Sequence, residues 1–213
     1  MLKVKAFAFN FFEENTYLVW DDATKDAVVI DPGMLFDDER ETFDNEVDSL
    51  GLKVKTVLQT HLHLDHCFGT NHVVETYGAE VAAHPADAFL GETIVDQCAR
   101  FGIRIPLQPV RITRPLADGD QLAVGEHVIK VLHVPGHSPG GVAFYCEDIA
   151  TVFSGDSLFR GGIGRTDLPG GSMLQLLQSI KSQLLTLPAS TLVRSGHGPA
   201  TTIAEEQRSN PYF

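Results

Sequence analysis

The chain has 213 residues, of which 43% are hydrophobic and 21% are charged, a balance typical of a folded globular protein rather than a disordered one. Its formal net charge is −12, from 28 acidic and 16 basic side chains. This excess of acid argues against a nucleic-acid or anionic-membrane partner, because both need clustered Lys and Arg. The length fits one large or two small domains, and we interpret residues 1–213 as a single domain.

The N-terminal segment and the cysteines indicate the cellular compartment. Residues 1–12 lack the apolar core and the small-residue cleavage site of a signal peptide. No apolar stretch approaches the ~18 residues that a membrane-spanning helix needs. Cys67, Cys98 and Cys146 are an odd set without a Cys-x-x-Cys spacing, which is typical of reduced thiols. These features predict a cytoplasmic protein without membrane attachment, and they leave its oligomeric state open.

Hydrophobic patterning predicts strands throughout the chain and a smaller number of helices. In the N-terminal half it predicts strands over 3–9, 16–20, 26–30, 54–58 and 80–83, and helices over 36–50, 66–77 and 85–100. In the C-terminal half it predicts a strand pair over 121–132, strands over 142–146, 150–153 and 191–194, and a helix over 172–187. This content indicates one α/β domain with sheets packed inside and helices outside.

A histidine-rich segment directly after the predicted strand 54–58 is the most informative motif. Its sequence, Thr-His-Leu-His-Leu-Asp-His, places His61, His63, Asp65 and His66 within six residues. Imidazoles and carboxylates are the ligands that Zn²⁺, Fe²⁺ or Mn²⁺ take in proteins. A polar loop that is rich in histidine by chance is the weaker alternative, because three histidines and a carboxylate so close together are rare.

Four further segments share one pattern, in which a strand runs into a glycine-containing turn with a polar residue at its tip. They are Asp31-Pro32-Gly33, the Pro-Gly-His-Ser-Pro-Gly segment around His137, Ser154-Gly155-Asp156, and Gly196-His197-Gly198-Pro199. Each alone is an ordinary turn, in which glycine lets the backbone bend sharply and approach a ligand. Together with the histidine-rich segment, His137, Asp156 and His197 complete a ligand set for two metal ions.

In order and spacing these motifs resemble the metallo-β-lactamase superfamily, from residue 15 to residue 198. Segments 155–159 and 162–167, Gly-Asp-Ser-Leu-Phe and Gly-Ile-Gly-Arg-Thr-Asp, resemble its short glyoxalase II-like (hydroxyacylglutathione hydrolase-like) branch. The resemblance implies an αββα sandwich, in which two packed mixed β-sheets carry helices on both outer faces and the metals lie in a cleft at one edge. It further implies one metal held by His61, His63 and His137, a second held by Asp65, His66 and His197, and Asp156 bridging both.

The same resemblance implies a chemistry. Two divalent cations, with zinc as the first expectation and iron or manganese as alternatives, would hold a bridging hydroxide that attacks the carbonyl of an acyl-thioester. Asp65 is expected both to bind metal and to orient that hydroxide as the catalytic residue. Asp31 is expected to support the ligands or form its turn rather than bind metal. Arg165 is expected to hold an anionic group of a small thioester substrate, and a structural Arg165–Asp167 pair is the alternative.

The sequence departs from the longer glyoxalase II enzymes at its C-terminus. It ends about sixteen residues after His197, without the helical domain with which those enzymes hold glutathione, so the grip on the thiol carrier is expected to differ. A persulfide dioxygenase, with a single iron held by His61, His137 and Asp156, is the alternative from another reaction class. Superfamily hydrolases of lactones or phosphodiesters, and a metal-binding protein without turnover, are further alternatives.

Overall fold

Two six-stranded β-sheets form the centre of this computed structural model, which describes residues 1–104 and 107–213. The first sheet consists of β1 Leu2–Phe9, β2 Glu14–Asp21, β3 Asp26–Ile30, β4 Lys53–Leu58, β5 Glu80–Ala83 and β6 Arg114–Pro115. The second consists of β7 Gln121–Val124, β8 His127–His133, β9 Val142–Cys146, β10 Thr151–Gly155, β13 Leu192–Ser195 and β14 Thr201–Thr202. Their strand orders are β1-β2-β3-β4-β5-β6 and β14-β13-β10-β9-β8-β7, and a separate hairpin joins β11 Leu158–Phe159 to β12 Gly162–Ile163.

Helices cover the outer faces of the sheets. Within the described part of the chain they are α1 Asp37–Leu50, α2 Leu64–Cys67, α3 Thr70–Tyr77, α4 Ala88–Glu92, α5 Ile94–Arg100, α6 Met173–Ser179 and α7 Ile203–Ser209. Short 3₁₀ turns span Pro85–Asp87 and Glu147–Ile149, and a π-helical turn spans Ile180–Leu184. None of these helices has the length and apolar character that crossing a membrane requires.

Alternation along the strands builds a three-layered core. In β2, Tyr17 and Val19 face the second sheet and pack in the same cluster as Phe144, whereas Leu18 faces outward and packs in the cluster of Phe43 from α1. Successive side chains of a strand point to opposite faces, so a strand that lies between two layers buries side chains on both. The predicted αββα sandwich of two mixed sheets with outer helices is confirmed.

The predicted helix 66–77 is wrong as one element, because the structure divides it into α2 and α3 at Gly69. The Gly69 amide donates to the carbonyl of Pro32 at 2.8 Å. A Cβ on Gly69 would lie only 2.9 Å from Met34 Sδ. This close approach requires glycine and holds the histidine-rich segment against the turn that follows β3.

Two other predicted helices are also interrupted. The segment predicted as one helix over 85–100 is a 3₁₀ turn followed by α4 and α5, which part at Thr93, whose hydroxyl bonds back to the Phe89 carbonyl at 2.7 Å. The segment predicted over 172–187 loosens into a π-turn after Ser179, whose hydroxyl contacts the carbonyls of Gln175 and Pro135. The sequence pattern gave no signal for β6, β11, β12, β14 or α7.

Strand direction brings the polar turns to one edge of the sandwich. Strands β3 and β4 are parallel in the first sheet, and β10 and β13 are parallel in the second, so their carboxyl ends point the same way. Hydrogen bonds join these edges. For example, Tyr17 Oη donates to the Ser195 carbonyl at 2.7 Å, and the Val142 amide donates to the Thr60 carbonyl at 2.8 Å. The residues that follow the four strands therefore meet in one place.

Candidate metal centre

Three buried histidines converge at this edge of the sandwich. His61 and His63 follow β4, and His137 lies between β8 and β9. The Nε2 atom of His137 is 2.8 Å from His63 Nδ1 and 3.2 Å from His61 Nε2. The ligand atoms of the three all lie within 4.8 Å of one another, a spacing at which one cation can reach all three.

A second group of ligand atoms lies beside the first. Asp65 and His66 belong to α2, and His197 follows β13. Asp65 Oδ2 is 3.2 Å from His197 Nε2 and 3.7 Å from His66 Nε2. Asp156 lies between the two groups, with Oδ1 3.4 Å from His66 Nε2 and Oδ2 3.6 Å from His137 Nε2. The structure thus brings all seven predicted ligands together.

In His137 and His197, the nitrogen that faces away from the centre has a backbone carbonyl as its partner. His137 Nδ1 donates to the Arg165 carbonyl at 2.8 Å, and His197 Nδ1 donates to the Phe12 carbonyl at 2.9 Å. A carbonyl can only accept, so each contact places the hydrogen on Nδ1 and leaves the lone pair of Nε2 facing the centre. These two carbonyls therefore set the tautomer that a metal ligand needs.

Asp31 orients one histidine of each group. Its Oδ2 accepts from His66 Nδ1 at 3.0 Å and from the Thr60 hydroxyl, while its Oδ1 accepts from the Thr60 amide at 2.7 Å. The Thr60 hydroxyl oxygen is in turn 3.0 Å from His61 Nδ1. At φ +48°, Asp31 lies in the left-handed region, which Asp tolerates better than most residues. With its oxygens used in this way, Asp31 supports ligands rather than facing the cation position.

The electrostatics of the centre suit cation binding. Burial lowers the pKa of His63 to about 3 and that of His61 well below its usual value, so both imidazoles are neutral, the form that binds metal. Burial opposes charge on Asp156 as well, but the neighbouring His66 lowers its pKa and keeps the carboxylate ionised. The pKa of His66 is raised, because the carboxylates of Asp156 and Asp65 outweigh its burial. The site therefore favours positive charge.

Two buried atoms between the groups are placed to bind a cation. Among the described residues, His66 Nε2 and Asp156 Oδ1 have no hydrogen-bond partner although both are shielded from solvent. Unpaired buried polar atoms are rare in folded proteins, and metal binding would satisfy both. A Cβ on Gly196 would lie 2.3 Å from Asp156 Oδ1 and 2.5 Å from His66 Cε1, so glycine keeps this space open. The residues present fit a pair of divalent cations.

Sequence reasoning missed Asp87, a buried carboxylate beside the histidines. It accepts from the Ser138 hydroxyl at 2.7 Å, from the Gly140 amide at 2.6 Å and from the Leu62 amide at 3.4 Å. These contacts tie the loop that carries His137 to the histidine-rich segment. The sequence contains a signal for Asp87, because residues 84–87 directly follow β5 as the other polar turns follow their strands. The predicted helix over 85–100 includes Asp87 and therefore obscures this pattern.

We expect Asp87→Ala to lower the free energy of unfolding by about 1–3 kcal/mol, because it leaves buried donors without an acceptor. Ser138→Ala removes one donor together with its need for a partner, so its cost should be near the lower end of that range. Urea unfolding of both variants measures the difference. Equal stability of Asp87→Ala and the unchanged protein would show that Asp87 does not tie the loops.

A largely apolar cavity of about 450 Å³ opens beside the centre. Its described lining combines metal-centre residues with side chains from the loops around it: Phe12, His63, Leu64, Asp65, Phe89, Leu90, Thr93, Asp96, Gln97, Arg100, Phe101, His137, Asp156, Arg165, Leu168, Pro169 and His197. Arg165 lies at this cavity, but its guanidinium forms a bidentate pair with Asp167, with both N–O distances at 2.7 Å. The structure therefore shows the pair that was the alternative to anion binding by Arg165.

Comparisons with known proteins agree with this geometry. The family model of the metallo-beta-lactamase superfamily matches residues 10–197. The hydroxyacylglutathione hydrolase GloC of Haemophilus influenzae is 37% identical over 209 residues, which cover 95% of this chain and 93% of that protein.

Two solved structures extend the comparison. TTHA1623, in a di-iron-bound form, superposes with a TM-score of 0.87 at 41% identity, covering 99% of this chain and all of that one. ETHE1 from Myxococcus xanthus superposes with a TM-score of 0.79 at 31% identity, covering 98% of this chain and 83% of that one. From the family match, the extended identity and the shared architecture, the chain belongs to the metallo-beta-lactamase superfamily and, within it, to the glyoxalase II-like branch.

Proposed function

We propose that this protein is a metal-dependent hydrolase of acyl-thioesters with a centre for two divalent cations, zinc foremost. The observation that carries the proposal is Asp156, which lies between two complete ligand groups within reach of His66 and His137. The similarity to GloC, a hydroxyacylglutathione hydrolase, supports a small anionic thioester as the substrate. Membership of a superfamily of metal-dependent hydrolases supports hydrolysis as the reaction class.

The proposed ligand sets are His61, His63 and His137 for one cation and Asp65, His66 and His197 for the other, with Asp156 shared. Such a pair of cations lowers the pKa of water toward ~7 and polarises a substrate carbonyl. Iron or manganese would suit the same ligands, because imidazole and carboxylate do not select among these metals strongly.

The protein's own groups then direct the reaction. Asp65 is mostly buried, and His66 and the hydrogen bond from His197 lower its pKa, so it is ionised and can accept a hydrogen bond from water. Addition of water across the thioester bond breaks the C–S bond and yields a carboxylic acid and a thiol.

No protein nucleophile is needed for this reaction. Cys67 is adjacent to His66 in the sequence, but its thiol is buried and its pKa is raised well above the usual value by burial. A thiol of that kind is inert at neutral pH. We interpret Cys67 as a packing residue of the histidine-rich segment.

A persulfide dioxygenase is the second candidate, and the resemblance of the Gly-Arg-Thr-Asp segment over 164–167 to that class of enzyme favours it. That reaction consumes oxygen and would use a single iron at His61, His137 and Asp156. It leaves Asp65, His66 and His197 without a ligand role, although they meet in a group of their own. The presence of a complete second group of ligand side chains therefore favours a hydrolase over a dioxygenase.

Thiol release from S-lactoylglutathione, measured in air and under nitrogen, separates the two candidates. We expect equal rates in both atmospheres, loss of activity after removal of metal by a chelator, and recovery when Zn²⁺, Fe²⁺ or Mn²⁺ is restored. Oxygen uptake with glutathione persulfide, and no thiol release from any thioester by the metal-loaded protein, would reject the hydrolase.

A further inference from the structure

One face of α5 forms a polar wall of the cavity beside the metal centre. The cavity is lined by Asp96, Gln97 and Arg100 of α5 and by Thr93 directly before it. Spacings of three and four residues place Gln97 and Asp96 on the same side of the helix as Arg100. This wall carries one carboxylate and one guanidinium, a helical turn apart. A substrate bound in this cavity would therefore lie close to Asp96 and Arg100 as well as to the metal-centre residues.

Gln97 fixes this wall relative to the metal ligands. Its side-chain oxygen accepts from the Leu64 amide at 3.2 Å, and its side-chain nitrogen donates to the Leu90 carbonyl at 2.8 Å and to the Leu62 carbonyl at 3.4 Å. Leu62 and Leu64 alternate with His61 and His63 in the histidine-rich segment. The stretch of α5 that carries Asp96 and Arg100 is therefore held against that segment.

The neighbouring wall is aromatic. Phe89 and Phe101 are 39% and 47% exposed, and both line the cavity. Phe101 packs edge-on against Phe12 with ring centroids 6.0 Å apart, which holds this surface in place. Exposed aromatic rings beside a buried polar centre are typical of a binding site for the apolar part of a ligand.

Arg100 lines the cavity, and its guanidinium forms no ion pair among the described residues. Other arginines form ion pairs. In Arg165, Nε and Nη2 donate to the two carboxylate oxygens of Asp167. Among the described residues, no carboxylate pairs with Arg100, and Asp96 has no basic partner. Two unpaired opposite charges in one cavity wall suit a ligand that carries a carboxylate and an ammonium group.

We propose that this α5 wall binds the thiol part of the substrate, with Arg100 holding a carboxylate and Asp96 an ammonium group, while Phe89 and Phe101 contact its apolar part. The substrate class is thus a thioester of an amino-acid-containing thiol, as glutathione is, rather than of an uncharged one. Arg100 takes the role that sequence resemblance assigns to Arg165. The inference rests on the proposed thioester hydrolysis, and its test is separable from that proposal.

Calorimetric titration of the metal-loaded protein with S-hexylglutathione, a thioether that cannot be hydrolysed, tests the wall directly. We expect Arg100→Ala to weaken binding about 10- to 100-fold, because it removes a charge-assisted contact, and Asp96→Asn to weaken it about tenfold. Arg111→Ala is the matched control, since Arg111 is exposed and is not a lining residue of the cavity. It should bind as the unchanged protein does.

A probe without these charges separates specific contacts from a general loss of structure. S-hexyl-N-acetylcysteamine should bind the unchanged protein and Arg100→Ala equally, which would show that the variant keeps its cavity. Equal binding of S-hexylglutathione by Arg100→Ala and Arg111→Ala, or no binding by the unchanged protein, would overturn the inference. Hydrolysis of an N-acetylcysteamine thioester tests the reaction independently of this wall.

Discussion

Asp65→Ala is expected to lower kcat/KM for thioester hydrolysis by about 10²–10⁴-fold in metal-loaded protein, the range found when a positioned general base is removed. Asp65 lies 3.2 Å from His197 and 3.7 Å from His66, and the mostly buried carboxylate is ionised. Its loss removes both a ligand and the group that we propose accepts a hydrogen bond from the attacking water.

The measurement is turnover of S-lactoylglutathione at saturating metal, with metal content and far-UV circular dichroism recorded on the same sample. Asp48→Ala is the matched control, because it removes an exposed carboxylate of α1 that belongs to neither ligand group. Its activity should equal that of the unchanged protein. Full activity of a fully metal-loaded Asp65→Ala protein would contradict the catalytic role of Asp65.

Asp31→Asn is expected to weaken cation binding at Asp65, His66 and His197 by about 10- to 100-fold, as is usual when the partner of a ligand histidine is removed. Asp31 Oδ2 now accepts from His66 Nδ1. An amide nitrogen in that place would donate to Nδ1 instead and move the imidazole hydrogen to Nε2, the atom that faces the centre. The side chain keeps its size, and Asn tolerates the left-handed backbone of this position.

Competition with a chromophoric chelator measures the affinity, and the ¹⁵N shifts of the imidazole ring report its tautomer. Asp38→Asn, on the exposed side of α1, provides the control for the loss of one negative charge. Unchanged affinity together with a hydrogen still on His66 Nδ1 would show that Asp31 does not govern this ligand.

The residues that form the two candidate ligand groups were predictable from the sequence, because residue type and spacing mark them. Three histidines and an aspartate within six residues place metal-binding side chains in one loop, and a strand edge collects the remaining turns. The continuous apolar runs Tyr-Leu-Val-Trp in β2 and Val-Ala-Phe-Tyr-Cys in β9 are likewise typical of strands buried on both faces. These features are local, or they follow from the direction of neighbouring strands.

The groups that orient the ligands were not predictable in the same way. The carbonyls of Phe12 and Arg165, which accept from His197 and His137, belong to the backbone and leave no residue-type signal. Asp87 lies within the predicted helix 85–100, where the structure instead forms a 3₁₀ turn at the start of that span. The pair of Arg165 with Asp167 is one of two alternatives that the sequence leaves open, and only the fold shows that it forms. The fold also leaves Arg100 without an ion pair among the described residues.

The acidic net charge of the chain has a largely local origin. Seven acidic residues and one arginine between 37 and 50 contribute −6 of the formal −12. Helix α1 contains all of them and buries Phe43 and Val47 on its other side. This acidic charge is therefore a local property of one surface helix rather than of the whole chain.

The metal content of protein purified without added metal tests the central claim most directly. Elemental analysis by mass spectrometry, with the protein concentration from amino-acid analysis, gives the number and identity of the ions per chain. The two complete groups of ligand side chains, with Asp156 between them, predict two divalent ions per chain, and zinc is the first expectation. One iron per chain, unchanged after incubation with excess Zn²⁺, Fe²⁺ or Mn²⁺, would contradict a two-cation hydrolytic centre.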